Sequence, residues 1–133
     1  MDPTVITGIM TAIMLGVAAG TKDTAAQVVK DAYQALKKRL NDHFKIGLDD
    51  LELDQSETEQ KAVAERIAKR NAGQDTEVIR LSRDLTEIVR RDPKSRDIVI
   101  LVDRSEDVLN RIGKEASASI TVTNSKRIQN EIQ

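Results

Sequence analysis

The residue types that perform most enzyme chemistry are scarce in this sequence. It has one histidine, His43, and no cysteine, so a histidine-based metal cluster, thiol catalysis and a disulfide are all excluded. The carboxylates are spread along predicted solvated faces, and no spacing selects a pair for acid–base catalysis. Glycine patterns typical of nucleotide-binding loops do not occur. The sequence therefore predicts a protein that is not an enzyme, with no catalytic residues, no metal and no cofactor.

Charge and aromatic content argue against nucleic acid as a partner. The chain has 21 basic and 22 acidic residues, which gives a net charge of -1. Nucleic-acid binding relies on excess positive charge against the phosphates. The aromatic residues are only Tyr33 and Phe44, so platforms for stacking single-stranded bases are missing as well.

The first twenty residues have a different kind of chemistry, because their side chains are apolar or small on every side. The segment carries a single charge, Asp2, and its small residues recur at intervals of four: Gly8, Ala12, Gly16 and Gly20. Such a stripe lets another helix backbone approach closely. The apolar remainder includes Val5, Ile6, Ile9, Met10, Ile13, Met14 and Val17. A helix without a solvent face is either a core helix or a membrane helix.

The length of this segment leaves both interpretations open. Pro3 to Gly20 lies at the short limit of a membrane-spanning helix, which needs roughly 17 to 25 residues. Each Ile, Leu or Val favours insertion by only about 0.3 to 0.6 kcal/mol, and the threonines and glycines oppose it. A single copy should insert poorly, whereas several copies packed through the small residues would share the cost. A secretory signal is not expected, because Asp2 and no Lys or Arg precedes the apolar run.

Three amphipathic helices are predicted to follow, joined by short connections. The second begins near Thr21 or Asp23 and is followed by a loop or short helix at Gly47 to Gln55. Its apolar face is predicted to carry Ala25, Val28, Val29, Ala32, Leu36 and Leu40. Ser56 and Glu59 form a capping box for the third, which is predicted to stop at Gly73. Asp75 caps the fourth and Pro93 ends it. The expected fold class is all-α, a four-helix bundle over residues 1–93 that encloses the first helix.

Residues 94–133 are predicted to form a separate β-prone tail. The run Ile98 to Val102 indicates a strand, and residues 119–133 alternate like two short strands around a turn. The two stretches match at an offset of 20 residues, so 98–113 and 118–133 are interpreted as imperfect repeats of an amyloid-type motif. The competing interpretation of the first stretch is a capped helix from Ser105 to Lys114. The motif residues in the second are Ile120, Val122, Asn124, Ser125, Ile128, Asn130 and Ile132.

The opening MDPTVITGIMTAIMLGVAAGTKDTAAQVVKDAYQALKKRL resembles that of the prokaryotic Bell domains, helical domains of small cell-death effectors. The likeness extends over roughly Met1 to Arg91. Bell domains resemble the fungal HeLo domains of heterokaryon-incompatibility prions and the executioner bundle of necroptosis, and they usually precede a C-terminal amyloid signalling motif. The tail lacks the glycine-rich core of the RHIM-like bacterial motifs, while its Asn-Ser turn resembles fungal prion repeats.

The resemblance implies an executioner of regulated cell death in prokaryotic immunity. An NLR-type sensor with a matching motif would template the tail into amyloid, after which the bundle would permeabilise the membrane as a pore. The membrane role then falls on the apolar and small residues from Val5 to Gly20, and the templating role on the tail motif. Partners would be further copies of the chain, the sensor and membrane lipids, with the protein cytoplasmic at rest and at the cell membrane after activation. The alternatives are an interaction adaptor whose first helix stays in the core, and a purely structural oligomer.

Overall fold

The computed structural model of the protein describes residues 2–20 and 26–118, and that part of the chain is helical without a strand. Short 3₁₀ turns at Ala72–Gln74 and Pro93–Ser95 separate the later helices. The α-helices are α1 (Pro3–Gly20), α2 (Gln27–Phe44), α3 (Asp49–Leu53), α4 (Glu57–Lys69), α5 (Thr76–Arg91), α6 (Arg96–Arg104) and α7, described over 106–118. The prediction of an all-α fold is confirmed for these residues.

The start of α1 follows from its first three residues. The Asp2 carboxylate accepts a hydrogen bond from the Thr4 backbone N–H at 2.9 Å, which satisfies one of the free donors of the first turn. Pro3 occupies the first helical position, where its missing N–H has no cost. The Thr7 and Thr11 hydroxyls donate to the carbonyls four residues earlier, so these polar side chains sit in an apolar helix with their protons already bonded.

Ser56 and Asp75 cap α4 and α5 as predicted, although only half of the predicted capping box forms. Ser56 Oγ accepts from the Glu59 N–H at 3.4 Å, whereas the Ser56 N–H donates to Asp54 at 3.0 Å and not to Glu59. Asp75 Oδ1 accepts from the N–H groups of Glu77 and Val78 at 2.8 and 3.0 Å. Arg39 of α2 also donates to Asp75 at 2.9 Å. That hydrogen bond, helped by the two backbone donors, holds the pKa of the Asp75 carboxyl below its ordinary value. Asp75 thus begins α5 and ties it to α2.

The predicted stop at Gly73 is wrong, because α4 ends at Lys69 and the reversal uses Asn71. Asn71 adopts the left-handed conformation with φ 60°, one of the few residue types that tolerate it. Gly73 instead lies buried in the 3₁₀ turn that follows. The end of α2 uses the same device at Lys45, with φ 57°, and the next residue, Ile46, turns back into the core.

The core is built around α1, which packs against α2, α4, α5 and α6. The other helices contribute buried side chains at helical spacing. These include Val29, Leu36 and Leu40 of α2, Val63 and Ile67 of α4, and Val78, Leu85 and Val89 of α5. Leu48 and Leu51 are also buried. The segment that was predicted as either a loop or a short helix is therefore the short helix α3, which lies over the core. Nine of the 18 residues of α1 are buried, more than in any other described helix, while one face of it stays open.

The strand predicted over Ile98 to Val102 is wrong, since these residues form α6. Ile98 and Val102 are four residues apart and both are buried in the core, whereas Ile100 is exposed. Burial of one helical face overrides the β-propensity of the run. In α7, Leu109, Ile112 and Ala116 continue the core at helical spacing.

The alternative interpretation of this stretch, a helix within Ser105 to Lys114, is confirmed, although α7 is longer. The first of the two repeats, 98–113, is therefore helical in the resting protein. The second, 118–133, lies outside the described residues except for its first position. The ion pair Lys61–Glu115, at 3.2 Å, and the pair Arg111–Glu57 join α7 to α4.

Candidate functional site

Helix α1 is the one helix in the described ranges that is long and apolar enough to cross a membrane. It has 18 residues, no charged side chain and a mean hydropathy of 1.7, and half of it is buried inside the protein. The core helix of a soluble protein passes the same test of length and composition. The packing around α1 is therefore needed to judge whether it is suited to act as a core helix or as a membrane helix.

Most of the predicted membrane residues face the interior. Ile6, Ile9, Met10, Ala12, Ile13, Gly16 and Val17 are buried, Val5 and Met14 are partly buried, and Gly8 and Gly20 are exposed. Full burial of an Ile or Met side chain is worth about 1.5 to 3 kcal/mol, so the helix is firmly held in this arrangement. The predicted amyloid residues, from Ile120 to Ile132, lie outside the described residues.

The stripe of small residues on α1 is divided between two environments. At Gly16 an added Cβ would lie 2.9 Å from Tyr33 Cγ and 3.1 Å from Leu85 Cδ2, so the missing side chain is what lets the tyrosine ring of α2 lie against α1. At Gly8 and Gly20 an added Cβ would meet nothing within 4 Å. Close packing therefore explains Gly16 in the resting protein, and it does not explain Gly8 or Gly20.

A second close contact on α1 was not predicted from the sequence. A Cβ at Gly113 of α7 would lie 2.9 Å from the carbonyl oxygen of Pro3 and would also collide with Thr7. The signal that could have found it is a glycine inside an otherwise helical pattern, which often marks a packing requirement. This contact anchors α7 beside the first turns of α1.

Tyr33 also belongs to a polar cluster that holds α3 over the core. Its hydroxyl donates to Glu52 Oε1 at 3.0 Å, and Lys37 Nζ lies 2.5 Å from Glu52 and 3.1 Å from Asp49. Burial, reinforced by the Glu52 charge, raises the pKa of the Tyr33 phenol far above its ordinary value. The hydrogen bond to Glu52 raises the pKa of Lys37 as well. The phenol therefore stays protonated and keeps donating to the carboxylate.

One face of α1 is left open as the floor of a groove of about 570 Å³. The floor carries Thr4, Gly8 and Thr11, with α5 on one side and α6 and α7 on the other. Arg90 of α5 and Asp103 of α6 form an ion pair of 3.0 Å across it. We call this space the α1 groove. The first half of α1 thus has an accessible face in the resting protein.

A smaller space of about 480 Å³ reaches the second half of α1 between α6 and the loop before α4. Met14 and Ala18 of α1 line it, together with Ile98 and Leu101 of α6. Leu101 is 61% exposed, and Leu53 of α3 is 87% exposed. The second half of α1 thus faces α6 across this space.

The lone histidine has a structural partner. His43 Nε2 accepts a hydrogen bond of 2.9 Å from Arg39, four residues earlier in α2, and its ring stands 6.5 Å from that of Phe44. In the ranges 2–20 and 26–118 there is no group of three or more His, Cys, Asp or Glu residues that could hold a metal ion. His43 is the second-last residue of α2, which ends at Phe44.

Comparison with known families yields one match, which extends over the whole chain. The family described as Het-E N-terminal domain matches residues 1–133. It is a HeLo-like fungal cell-death domain family. No curated protein and no solved structure matches the chain. The prokaryotic origin and the amyloid motif implied by the Bell-domain resemblance are not part of what this match shows.

Proposed function

Because the chain belongs to the Het-E N-terminal domain family, whose members are associated with regulated cell death and heterokaryon incompatibility, we propose that it executes cell death by moving α1 from the bundle into a membrane. The observation that carries this proposal is α1 itself. It is an uncharged helix of 18 residues and spanning length that is kept inside a small helical protein.

The energetics of α1 call for assembly before insertion. Each large side chain of α1 that leaves the core forfeits about 1.5 to 3 kcal/mol, which a bilayer or neighbouring copies must replace. A single α1 gains little from the bilayer, because its three threonines, Thr4, Thr7 and Thr11, and its glycines oppose insertion. Copies held close together meet at high effective concentration and can pack through Gly8, Ala12 and Gly20, which leave room for a neighbouring helix.

The trigger we propose is templated assembly of the C-terminal motif from Ile120 to Ile132. An NLR-type sensor carrying a similar motif would seed it, and the resulting amyloid would concentrate the bundles. The protein would be cytoplasmic at rest and would act at the cell membrane after seeding. The supporting observation in the sequence is the alternating, β-branched and asparagine-containing pattern of residues 118–133.

Dye leakage from vesicles tests this function. The full chain is added to phosphatidylcholine vesicles, with and without phosphatidylserine, in the presence or absence of preformed fibrils of a peptide spanning residues 118–133. We expect leakage only in the seeded samples. Seeded chain that assembles on the fibrils without releasing dye from either vesicle would overturn the membrane role.

Gly8→Leu separates packing between copies from folding. Gly8 has open space around its Cβ position, so the variant should fold, while the leucine would hold neighbouring α1 helices apart. We expect seeded leakage to be lost with Gly8→Leu and kept with Gly47→Leu, a matched change at another open glycine outside α1. Equal leakage from both variants would show that the small residues do not assemble α1.

The second candidate is an adaptor that assembles through its tail and keeps α1 in the core. It is favoured by the close fit of Gly16 against Tyr33 and by the number of elements packed on α1. An adaptor predicts seeded assembly and partner binding without leakage. A purely structural oligomer predicts fibrils without cell death, so expression in cells distinguishes it from the executioner.

A further inference from the structure

The α1 groove contains a polar group that the packing of the bundle does not explain. Ser82 of α5 lines the groove, and its side chain is buried with only 4% of the residue exposed. Its hydroxyl has no hydrogen-bond partner among the described residues. A buried polar group without a partner costs about 1 to 3 kcal/mol, so a partner that reached the Ser82 hydroxyl through the groove would stabilise the protein.

Three of the threonine hydroxyls that line the groove are free to accept hydrogen bonds. Thr7, Thr11 and Thr86 donate their protons to helix carbonyls of the preceding turn at 2.8 to 2.9 Å. Their remaining capacity is as acceptors. Apolar side chains, including Val5 and Ile79, lie between them. The groove therefore fits a segment with N–H donors and some apolar side chains.

The rim of the groove adds a preference for positive charge. Arg90 and Asp103 neutralise each other across it. The other charged residues that line the groove are three acidic ones, Asp2, Glu87 and Glu106, and one basic one, Arg83. Acidic groups therefore outnumber basic ones, and a basic occupant is favoured.

The course of α7 carries the described chain past the first residues of α1, which line one end of this groove. Ser105 and Leu109 lie near Met14 of α1, whereas Gly113 packs against Pro3, so α7 runs antiparallel to α1 toward its first residue. At 1.5 Å per residue, position 118 is about 8 Å beyond Gly113 along the helix axis. The chain continues there for residues 119–133.

We propose that residues 119–133 of the same chain dock in the α1 groove. The segment contains Lys126 and Arg127, a single acidic residue, and four apolar side chains, Ile120, Val122, Ile128 and Ile132. The stretch of α1 that floors the groove, from Asp2 to Thr11, is about 14 Å long, whereas an extended chain spans about 3.3 Å per residue. The segment therefore reaches along the whole groove. Docking covers the open face of α1 and withholds the tail motif from templating until a competing strand displaces it.

Thiol labelling of the full chain tests the docking. The sequence has no cysteine, so Gly8→Cys places a single thiol on the groove floor at a position with open space. We expect this thiol to react slowly and to react about tenfold faster or more once Lys126→Glu and Arg127→Glu are added. Leu53→Cys, at a site that is 87% exposed, is the matched control and should react equally fast in both backgrounds.

A charge reversal completes the test. Glu87→Lys and Glu106→Lys, both at exposed positions, should restore slow labelling of Gly8→Cys when combined with the two tail glutamates. If Gly8→Cys reacts as fast as Leu53→Cys in the parent chain, the groove is empty and the proposal fails. Slow labelling that disappears on dilution would mean that a second copy occupies the groove. Slow labelling that the tail charges do not affect would mean that neither the tail nor a second copy occupies it. Either outcome overturns the proposal. Vesicle leakage by seeded chain does not depend on this result, so failure of the docking is distinguishable from failure of the membrane function.

Discussion

Gly8 and Gly16 lie on the same line of α1, and yet the surrounding side chains give them different roles. Gly16 is a site of contact with Tyr33 and Leu85, whereas Gly8 opens onto the groove. The sequence predicted their spacing, because a repeat of four is visible without a structure. It could not predict that Gly16 is packed and Gly8 is open, because this difference depends on where the Tyr33 ring, 17 positions after Gly16, is placed. The same holds for Asp75, whose capping role was predicted and whose partner Arg39 was not.

Alanine at the two glycines should have opposite effects on stability. Alanine in a helix is favoured over glycine by roughly 0.5 to 1 kcal/mol, so Gly8→Ala should stabilise the protein by about that amount. Gly16→Ala forces its methyl into the Tyr33 ring and should destabilise by about 1 to 3 kcal/mol. Urea unfolding of both variants measures the difference. Stabilisation by both changes would mean that α1 and α2 are not packed as described.

At the scale of elements, α6 is the segment where the sequence pattern predicts a strand and the structure has a helix. Five successive apolar residues, Ile98 to Val102, carry no clear periodicity, so their β-branched character favours a strand. The deciding information is the core that Ile98 and Val102 meet on one helical face. By contrast, the start of α4 and both ends of α5 were predictable because Ser56, Asp75 and Pro93 mark them in the sequence itself.

Two isoleucines of α6 distinguish the helix from the strand by experiment. In a strand, Ile98 and Ile100 would share a face, whereas in α6 Ile98 is buried and Ile100 is 44% exposed. Ile98→Ala should therefore destabilise the protein by about 2 to 5 kcal/mol, and Ile100→Ala by less than about 0.5 kcal/mol. Thermal unfolding followed by circular dichroism compares them. Equal losses would contradict the helical assignment.

At the scale of the whole molecule, the helices from α1 to α7 form one core, and the predicted motif from Ile120 onward lies outside the described residues. The apolar first helix and its amphipathic partners were enough to predict a helical bundle, because such helices have few ways to pack. The cell-death role was implied only by the resemblance of the opening to Bell domains. The α1 groove was not predictable. Its walls come from α1, α5, α6 and α7, and only the tertiary fold brings these elements together.

This division between core and tail gives a prediction for the full chain. Proline removes a ladder donor and fixes φ, so Val122→Pro or Ile128→Pro should abolish seeded thioflavin-positive fibrils. Both substitutions lie outside the described core, so we expect the helical bundle to stay folded, with the unfolding midpoint lowered only by as much as docking in the α1 groove contributes. Seeding assays and thermal unfolding of the same samples check both parts. Fibrils that grow from the proline variants at the parent rate would place the fibril core elsewhere.

The contact of Tyr33 with Gly16 also makes the protein its own optical probe. The chain has one tyrosine and no tryptophan, so its ultraviolet emission comes from the single ring that lies against α1 and donates to Glu52. A carboxylate bonded to an excited phenol quenches its light, and a packed ring tumbles slowly. Departure of α1 would free that ring, and the lifetime and anisotropy of the emission would follow the event in real time without a dye.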